Sequence, residues 1–504
     1  MKVALWVSGL VLSSTAAVGI ALFSGKRDEA QLAEKCKALA SGEAIGAQSA
    51  KTKWVEADNK VGLPSHCEVT ATLSPVKGSR IGVVYRLPGE WNGKLLGLGG
   101  GGWAGNVTPE AAAPGLEAGY ATAQTDGGHP GTTVWDNGWA SDPVAADDFA
   151  WRAIHQMTVA GKELVVGFYG KAAARAYYNG CSTGGRQGLM EAQRFPDDYD
   201  GIIAGAPVYS LQTQTSQLMR SNEFAAPGAG LDDAQVALVN KAVLAACDSN
   251  DGQEDGIIAD PRACHWNPGE VACKLGESTS QCLTPPQVLA LSTAYSGLLA
   301  PDGSWAQWPM SRGGELGWKP FIAVDGKEAA GTDGGIRTLG PELFGAQKID
   351  FGRFQTRDAV TARSSAFAKA YEATNPDLSG FFATGGKLLI YQGEYDPGPS
   401  PVGAVDYATA VAQHAPDKAR NGLRLFLMPG MGHCRGGPGP DQVDWLEALD
   451  KWVSGGDAPG QLVATKQDSP LTRPVCAWPQ VARYQGEGDS NDPASYKCVS
   501  RTRS

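Results

Sequence analysis

Hydrophobic residues along this chain come in short runs that end in glycine-rich breaks. Residues 80–87 (Arg-Ile-Gly-Val-Val-Tyr-Arg-Leu) and 94–98 read as strands, and the second runs into Gly99-Gly100-Gly101-Gly102. Residues 119–125 read as another strand, leading into Asp126-Gly127-Gly128-His129. Over 151–169 the apolar positions fall at helical spacing and stop at Gly170. A short strand at 176–179 precedes Gly180-Cys181-Ser182-Thr183-Gly184, and a helix comes after it over about 185–194. Strands at 387–392 and 423–428 end at Tyr395-Asp396-Pro397 and at Pro429-Gly430-Met431-Gly432-His433-Cys434. Strands alternating with helices predict a mostly parallel sheet in an α/β layer architecture. Residues 210–380 break that rhythm, with many Gly and Asp and four cysteines. They predict a second domain inserted between segments 28–209 and 381–504.

Composition narrows the class. The 504 residues are 42% hydrophobic and 19% charged, a globular balance with length for more than one domain. The net charge of −10 repels a phosphate backbone and argues against nucleic acid as a partner. Residues 1–27 pair Lys2 with an uncharged stretch over 3–23 that Lys26 and Arg27 end. This predicts a signal peptide or, if uncleaved, an N-terminal membrane anchor. No later stretch is long and apolar enough to span a membrane.

The cysteine count is even: 36, 67, 181, 247, 264, 273, 282, 434, 476 and 498. Behind an export segment this predicts disulfides and a secreted or periplasmic location. No C-x-x-C pair occurs, which argues against structural zinc and thioredoxin chemistry. Ten cysteines allow about 900 pairings. Spacing suggests four short loops: Cys36–Cys67, Cys247–Cys264, Cys273–Cys282 and Cys476–Cys498. Cys181 and Cys434 remain.

Gly180-Cys181-Ser182-Thr183-Gly184 matches G-x-S-x-G, in which a serine nucleophile sits on a sharp strand-to-helix turn. The amide of the next residue then points toward a developing oxyanion. A serine nucleophile needs a base, and of six histidines His433 has the favourable place, in a glycine loop just after a strand. His129 is the second candidate. Asp396 lies just past a strand end, and Ser182…Asp396…His433 is the chain order of α/β-hydrolases; Glu394 is the alternative acid. Cys181 and Cys434 adjoin the nucleophile and the base, so a bridge between them would tie those two turns together. Residues 99–102 read as an oxyanion loop. The rival, a dinucleotide loop, is disfavoured because Pro109 and Pro114 break the helix it would have to open. Asp248-Ser249-Asn250-Asp251-Gly252-Gln253-Glu254-Asp255-Gly256-Ile257 is an acidic turn bracketed by Cys247 and Cys264. Its carboxylates suit Ca²⁺, although the EF-hand glutamate is missing; the alternative is a solvated acidic loop.

Together these residues resemble the tannase and feruloyl esterase family of α/β-hydrolases. The resemblance rests on Cys181-Ser182, Asp396 and His433-Cys434. It extends to Trp91-Asn92-Gly93-Lys94, Thr125-Asp126-Gly127-Gly128-His129, Arg194-Phe195-Pro196 and Tyr199-Asp200-Gly201-Ile202. It implies an α/β-hydrolase fold with a large inserted lid domain, the Cys181–Cys434 bridge and the four local bridges. It implies oxyanion donors at Gly102 and Thr183, and structural Ca²⁺ held by Asp248, Asp251 and Asp255 side chains with Gln253 and Ile257 carbonyls. The implied activity is hydrolysis of aromatic-acid esters: hydroxycinnamates, gallates or, in one branch, terephthalate monoesters. That branch reads the free carboxylate with a lid arginine, for which Arg337 is the candidate. Trp318, Trp305, Trp308 and Phe344 are candidates to hold a substrate ring. Gln392 stands where relatives carry His, and it is a further substrate-site candidate. The rival to an esterase is a non-catalytic protein binding phenolics or saccharides on the same scaffold.

Overall fold

The computed structural model describes residues 29–501 apart from 59, 61, 132–133, 276, 278–280 and 323–332. The export segment read at 1–27 lies outside the described residues.

Nine strands build one sheet: β1 (Ala50–Val55), β2 (His66–Leu73), β3 (Ile81–Pro88), β4 (Lys94–Leu98), β5 (Ala121–Thr125), β6 (Arg175–Cys181), β7 (Gly201–Gly205), β8 (Lys387–Gly393) and β9 (Leu423–Met428). Their order is β1-β2-β3-β5-β4-β6-β7-β8-β9. Pairs from β1 to β5 are antiparallel, and those from β5 to β9 are parallel. The two halves have different sequence textures. In β8, Leu388, Leu389 and Ile390 are all fully buried, as a parallel strand covered on both faces requires. Toward the end of β2 buried and exposed positions alternate, the mark of a strand with one wet face. β1, β2 and β7 escape the sequence reading because they carry polar or small residues in place of a long apolar run.

The helix expected over 151–169 runs Ala153–Tyr169 and ends on left-handed Gly170. Its expected first residues fall in a π-helical turn, Asp148–Arg152. The helix after Ser182 begins at once, at Thr183, and runs to Arg194.

Among the described residues, 210–380 add no strand to this sheet. They form helices that include Gln212–Ala225, Asp233–Cys247 and Pro285–Ser296, and a two-strand ribbon pairing Leu298–Leu299 with Trp305–Gln307. Phe224, Val239, Val243, Leu291, Tyr295 and Trp318 give them a core of their own. A second cluster joins them to the sheet side, with Trp103 and Phe149 packing beside Leu218, Ile336, Leu339 and Tyr371. Beyond β9, residues 461–500 add two small antiparallel pairs outside the main sheet.

Candidate active site

Ser182, Asp396 and His433 come just after β6, β8 and β9, at the carboxyl ends of parallel strands, where open α/β sheets place their ligands. Ser182 has φ 63° and ψ −121°. Such backbone costs about 1–3 kcal/mol in a non-glycine residue. The turn is held by backbone bonds. The Ser182 amide donates to the Gly205 carbonyl at 2.9 Å, and its carbonyl accepts from the Arg186 and Val208 amides at 3.1 Å. Gly180 is obligatory here, because a Cβ on it would lie 2.7 Å from the Gly184 carbonyl carbon.

Thr183 is the first residue of its helix, so its amide is one of the free donors of a helix N-terminus. Its hydroxyl donates to the Gly102 carbonyl and fastens the 99–102 loop beside the nucleophile turn. Gln187, one turn along the same helix, accepts from the Gly100 amide at 3.0 Å and from the Tyr178 hydroxyl at 3.2 Å. Gly102 has φ +58°, and a Cβ there would meet the Val134 carbonyl oxygen at 2.3 Å.

His433 Nδ1 lies 2.8 Å from Asp396 Oδ2. Asp396 is buried; its Oδ1 accepts from the Gly398 amide at 2.8 Å. Burial works against charging His433, but the charge and hydrogen bond of Asp396 outweigh it and hold the imidazole above its ordinary value. A disulfide joins Cys181 to Cys434 with their Cα atoms 6.0 Å apart. The other four disulfides join Cys36 to Cys67, Cys247 to Cys264, Cys273 to Cys282 and Cys476 to Cys498.

Ser182, Thr183, Gly102 and His433 line one cleft of about 850 Å³, whose aromatic walls are Trp103, Trp135, Phe321 and Tyr391. The other base and acid candidates lie elsewhere. His129 is buried, stacked 4.6 Å from Trp139, and burial lowers its pKa to about 4. Glu394 is buried between Arg262 at 2.6 Å and Arg501 at 3.1 Å.

The three substrate-contact candidates lie off the cleft wall. Trp318 is 1% exposed and packs edge-on to Tyr295 in the core of the inserted segment, off the cleft wall. Arg337 is turned toward Asp333 at 3.5 Å and over the Phe351 ring, also off that wall. Gln392 is buried behind the acid, where its amide donates to Asp396 Oδ2 at 2.8 Å and to the Pro399 carbonyl at 3.1 Å. The remaining aromatic candidates also serve packing: Trp308 lies against Tyr209, Trp305 donates to Asp406, and Phe344 meets Phe351 and Phe354. Large rings gain most from full burial, so they fill interiors. Sequence reasoning missed Phe321 and Arg435. Apart from His433, Arg435 is the only cationic side chain on the cleft wall among the described residues, and no carboxylate joins it there.

In the acidic turn, Asp248 accepts from the Gly256 and Ile257 amides, and Asp251 from the Gln253 amide. Asp255 pairs with Arg473 at 2.6 Å. Burial first, and then the charges of Asp255 and Asp248, push Asp251 up to about 6. An all-oxygen donor set under mutual repulsion fits Ca²⁺ in donor type, with Arg473 offsetting part of the charge. A separate trio, His155, Glu191 and Asp198, brings its ligand atoms within 4.8 Å of one another. Burial and the nearby Asp198 charge lift Glu191 well above the usual carboxylate range.

With this geometry in view, comparison with known proteins decides the family. The family model for tannase and feruloyl esterase matches residues 67–315 and 328–499. The chain belongs to the tannase and feruloyl esterase family. Mono(2-hydroxyethyl) terephthalate hydrolase of Piscinibacter sakaiensis is 34% identical, over 87% of this chain and 85% of the relative. A probable feruloyl esterase of Arthroderma benhamiae is 32% identical over 86% and 85%. Among solved structures, feruloyl esterase B from Aspergillus oryzae superposes with a TM-score of 0.82 at 28% identity, covering 93% of this chain and all of the other. This tannase and feruloyl esterase family member is a carboxylic ester hydrolase with an α/β-hydrolase fold.

Proposed function

We propose that the protein is an exported serine esterase that cleaves esters of aromatic carboxylic acids. The observation that carries the mechanism is the joint placement of a strained Ser182 and an Asp396-bound His433, on turns bonded through Cys181 and Cys434. Ser182 Oγ attacks the ester carbonyl carbon while His433 Nε2 takes its proton. Asp396 holds the Nδ1 proton and stabilises the imidazolium. The amides of Gly102 and Thr183 receive the oxyanion. As the tetrahedral species collapses, His433 returns the proton to the departing alkoxide, leaving an acyl-serine. Water, deprotonated by the same His433, releases the acid and restores Ser182.

The aromatic walls of the cleft support a flat acyl group, as do relatives named for feruloyl and terephthalate esters. Ca²⁺ on Asp248, Asp251, Asp255, Gln253 and Ile257 would supply rigidity to the acidic turn and takes no part in the chemical steps. Five disulfides support export.

A second reading within the family, a terephthalate monoester hydrolase, is favoured by Arg435. Apart from His433 it is the ionic side chain of that wall among the described residues, and its planar fork suits a free carboxylate.

The test is hydrolysis of methyl ferulate, methyl gallate, chlorogenate and mono(2-hydroxyethyl) terephthalate by wild type beside Ser182→Ala. Turnover of any of them that the variant loses supports the esterase. A folded wild type that is silent throughout and unlabelled by a fluorophosphonate at Ser182 sinks it in favour of a binding protein.

A further inference from the structure

A second cavity, of about 600 Å³, lies beside the cleft. It shares His433 and Phe321 with the cleft but reaches none of Ser182, Gly102 and Thr183. Its walls are Leu244, Leu316, Phe321, Tyr395, Pro397 and Pro438, with backbone at several glycines between them, and the Tyr395 hydroxyl accepts from the Ile258 amide at 2.7 Å. Asn240 is on the wall too, but its amide nitrogen is engaged by the Gly313 carbonyl at 3.1 Å and Glu315 at 2.8 Å. Among the described residues, no ionic side chain other than His433 lines it. Leu316, at its edge, is 66% exposed, a large apolar side chain left in water.

The two halves of an ester sort between the two spaces. The acyl carbon must lie where Ser182 and the amides of Gly102 and Thr183 meet, which is the cleft. The alcohol oxygen must lie at His433, because His433 returns its proton. A space that touches the base but neither the nucleophile nor the oxyanion donors is therefore on the leaving-group side. We propose that this cavity is the subsite for the hydrocarbon part of the leaving alcohol, so that the enzyme favours esters of apolar alcohols several carbons long. The proposal rests on the reading of Ser182 and His433 as nucleophile and base.

The substrates that test it are methyl, ethyl, butyl and hexyl ferulate. Full burial of a methylene is worth about fourfold, so partial burial should raise kcat/KM roughly tenfold from methyl to butyl. Gly317 lines the cavity and a Cβ on it meets nothing within 4 Å, so Gly317→Phe adds a ring there without a clash. Leu244→Trp fills it from the opposite element, should the first variant fail to fold. Gly317→Ala leaves the space open. The expected result is that the rise with chain length disappears in a filling variant whose methyl ferulate rate stays within about twofold of wild type, and persists in Gly317→Ala. A flat or falling series in wild type, or a rise that survives both folded filling variants, overturns the subsite. Failure of wild type on every alkyl ferulate and also on methyl gallate, chlorogenate and mono(2-hydroxyethyl) terephthalate overturns the esterase reading itself, and so the two failures are distinguishable.

Discussion

Gln392 donates its side-chain amide to Asp396 Oδ2 at 2.8 Å, the same carboxylate oxygen that meets His433. Gln392 therefore shares the acid with the base and fixes its orientation from behind. Gln392→Ala removes a neutral donor and leaves Asp396 a stronger acceptor for the imidazolium. Expected are a fall in kcat of about tenfold, equivalent to roughly 1.4 kcal/mol, a KM nearly unchanged and an acid limb moved to higher pH. Steady-state kinetics across pH check all three, and Gln392→His, which keeps a donor, should recover part of the loss.

The rate should depend on pH with a definite sign. Burial works to lower His433, yet the charge and hydrogen bond of Asp396 raise it above its ordinary value. As a base it works unprotonated, so kcat/KM climbs with pH through a midpoint above about 6.5. Asp396→Asn removes the raising charge. The midpoint should then move down while kcat falls about 10³–10⁴-fold. A midpoint that stays put would mean that another group titrates.

The Cys181–Cys434 bond closes a loop of 253 residues. Replacing both cysteines by Ala should cost about 2–5 kcal/mol of stability and lower kcat about 10²-fold through misplaced base and nucleophile. Denaturant unfolding beside methyl ferulate kinetics separates the two effects. Replacing Cys476 and Cys498 should cost stability with little change in kcat.

Calcium should act on stability. At a hundredfold excess over its dissociation constant it contributes about 2.7 kcal/mol. Chelation should lower the melting temperature by several degrees, Ca²⁺ should restore it, and Asp251→Asn should abolish the response. Calorimetry with and without chelator checks this.

Arg435→Ala should lower kcat/KM for mono(2-hydroxyethyl) terephthalate about tenfold or more and leave methyl ferulate within about twofold. Equal losses on both would make Arg435 a structural residue.

In the catalytic half of the sheet, the strands that lead to Ser182, Asp396 and His433 were legible because they are apolar and end in glycine turns, whereas the small residues of β7 hid it. β8 and β9 announce themselves by continuous apolar runs, and Ser182 by the glycines its backbone demands. The edge strand β1 and its neighbour β2 were not legible, since Lys51, Lys53 and Glu68 dilute their pattern. The substrate wall was the least legible part. Trp318 and Trp308 drew attention by size, yet size is what sends them into cores, whereas Phe321 reaches the cleft by long-range packing that no local spacing records, and Arg435 simply follows the base loop of His433. Gln392 was noticed as unusual, but its contact with Asp396 emerges only when the chain turns back at the end of β8.

The inserted segment is fastened to the sheet side by buried bonds. Trp103 Nε1 donates to the Gly334 carbonyl at 3.0 Å, Asn137 to the Gly335 carbonyl at 3.0 Å, and Arg220 to the Pro397 carbonyl at 3.1 Å. Each would leave a dry, unpaired group if broken, at about 1–3 kcal/mol. The cover over Ser182 is thus a roof rather than a door. These bonds need no ester to form, so the part of the cleft they hold is set by folding and bears on which esters fit.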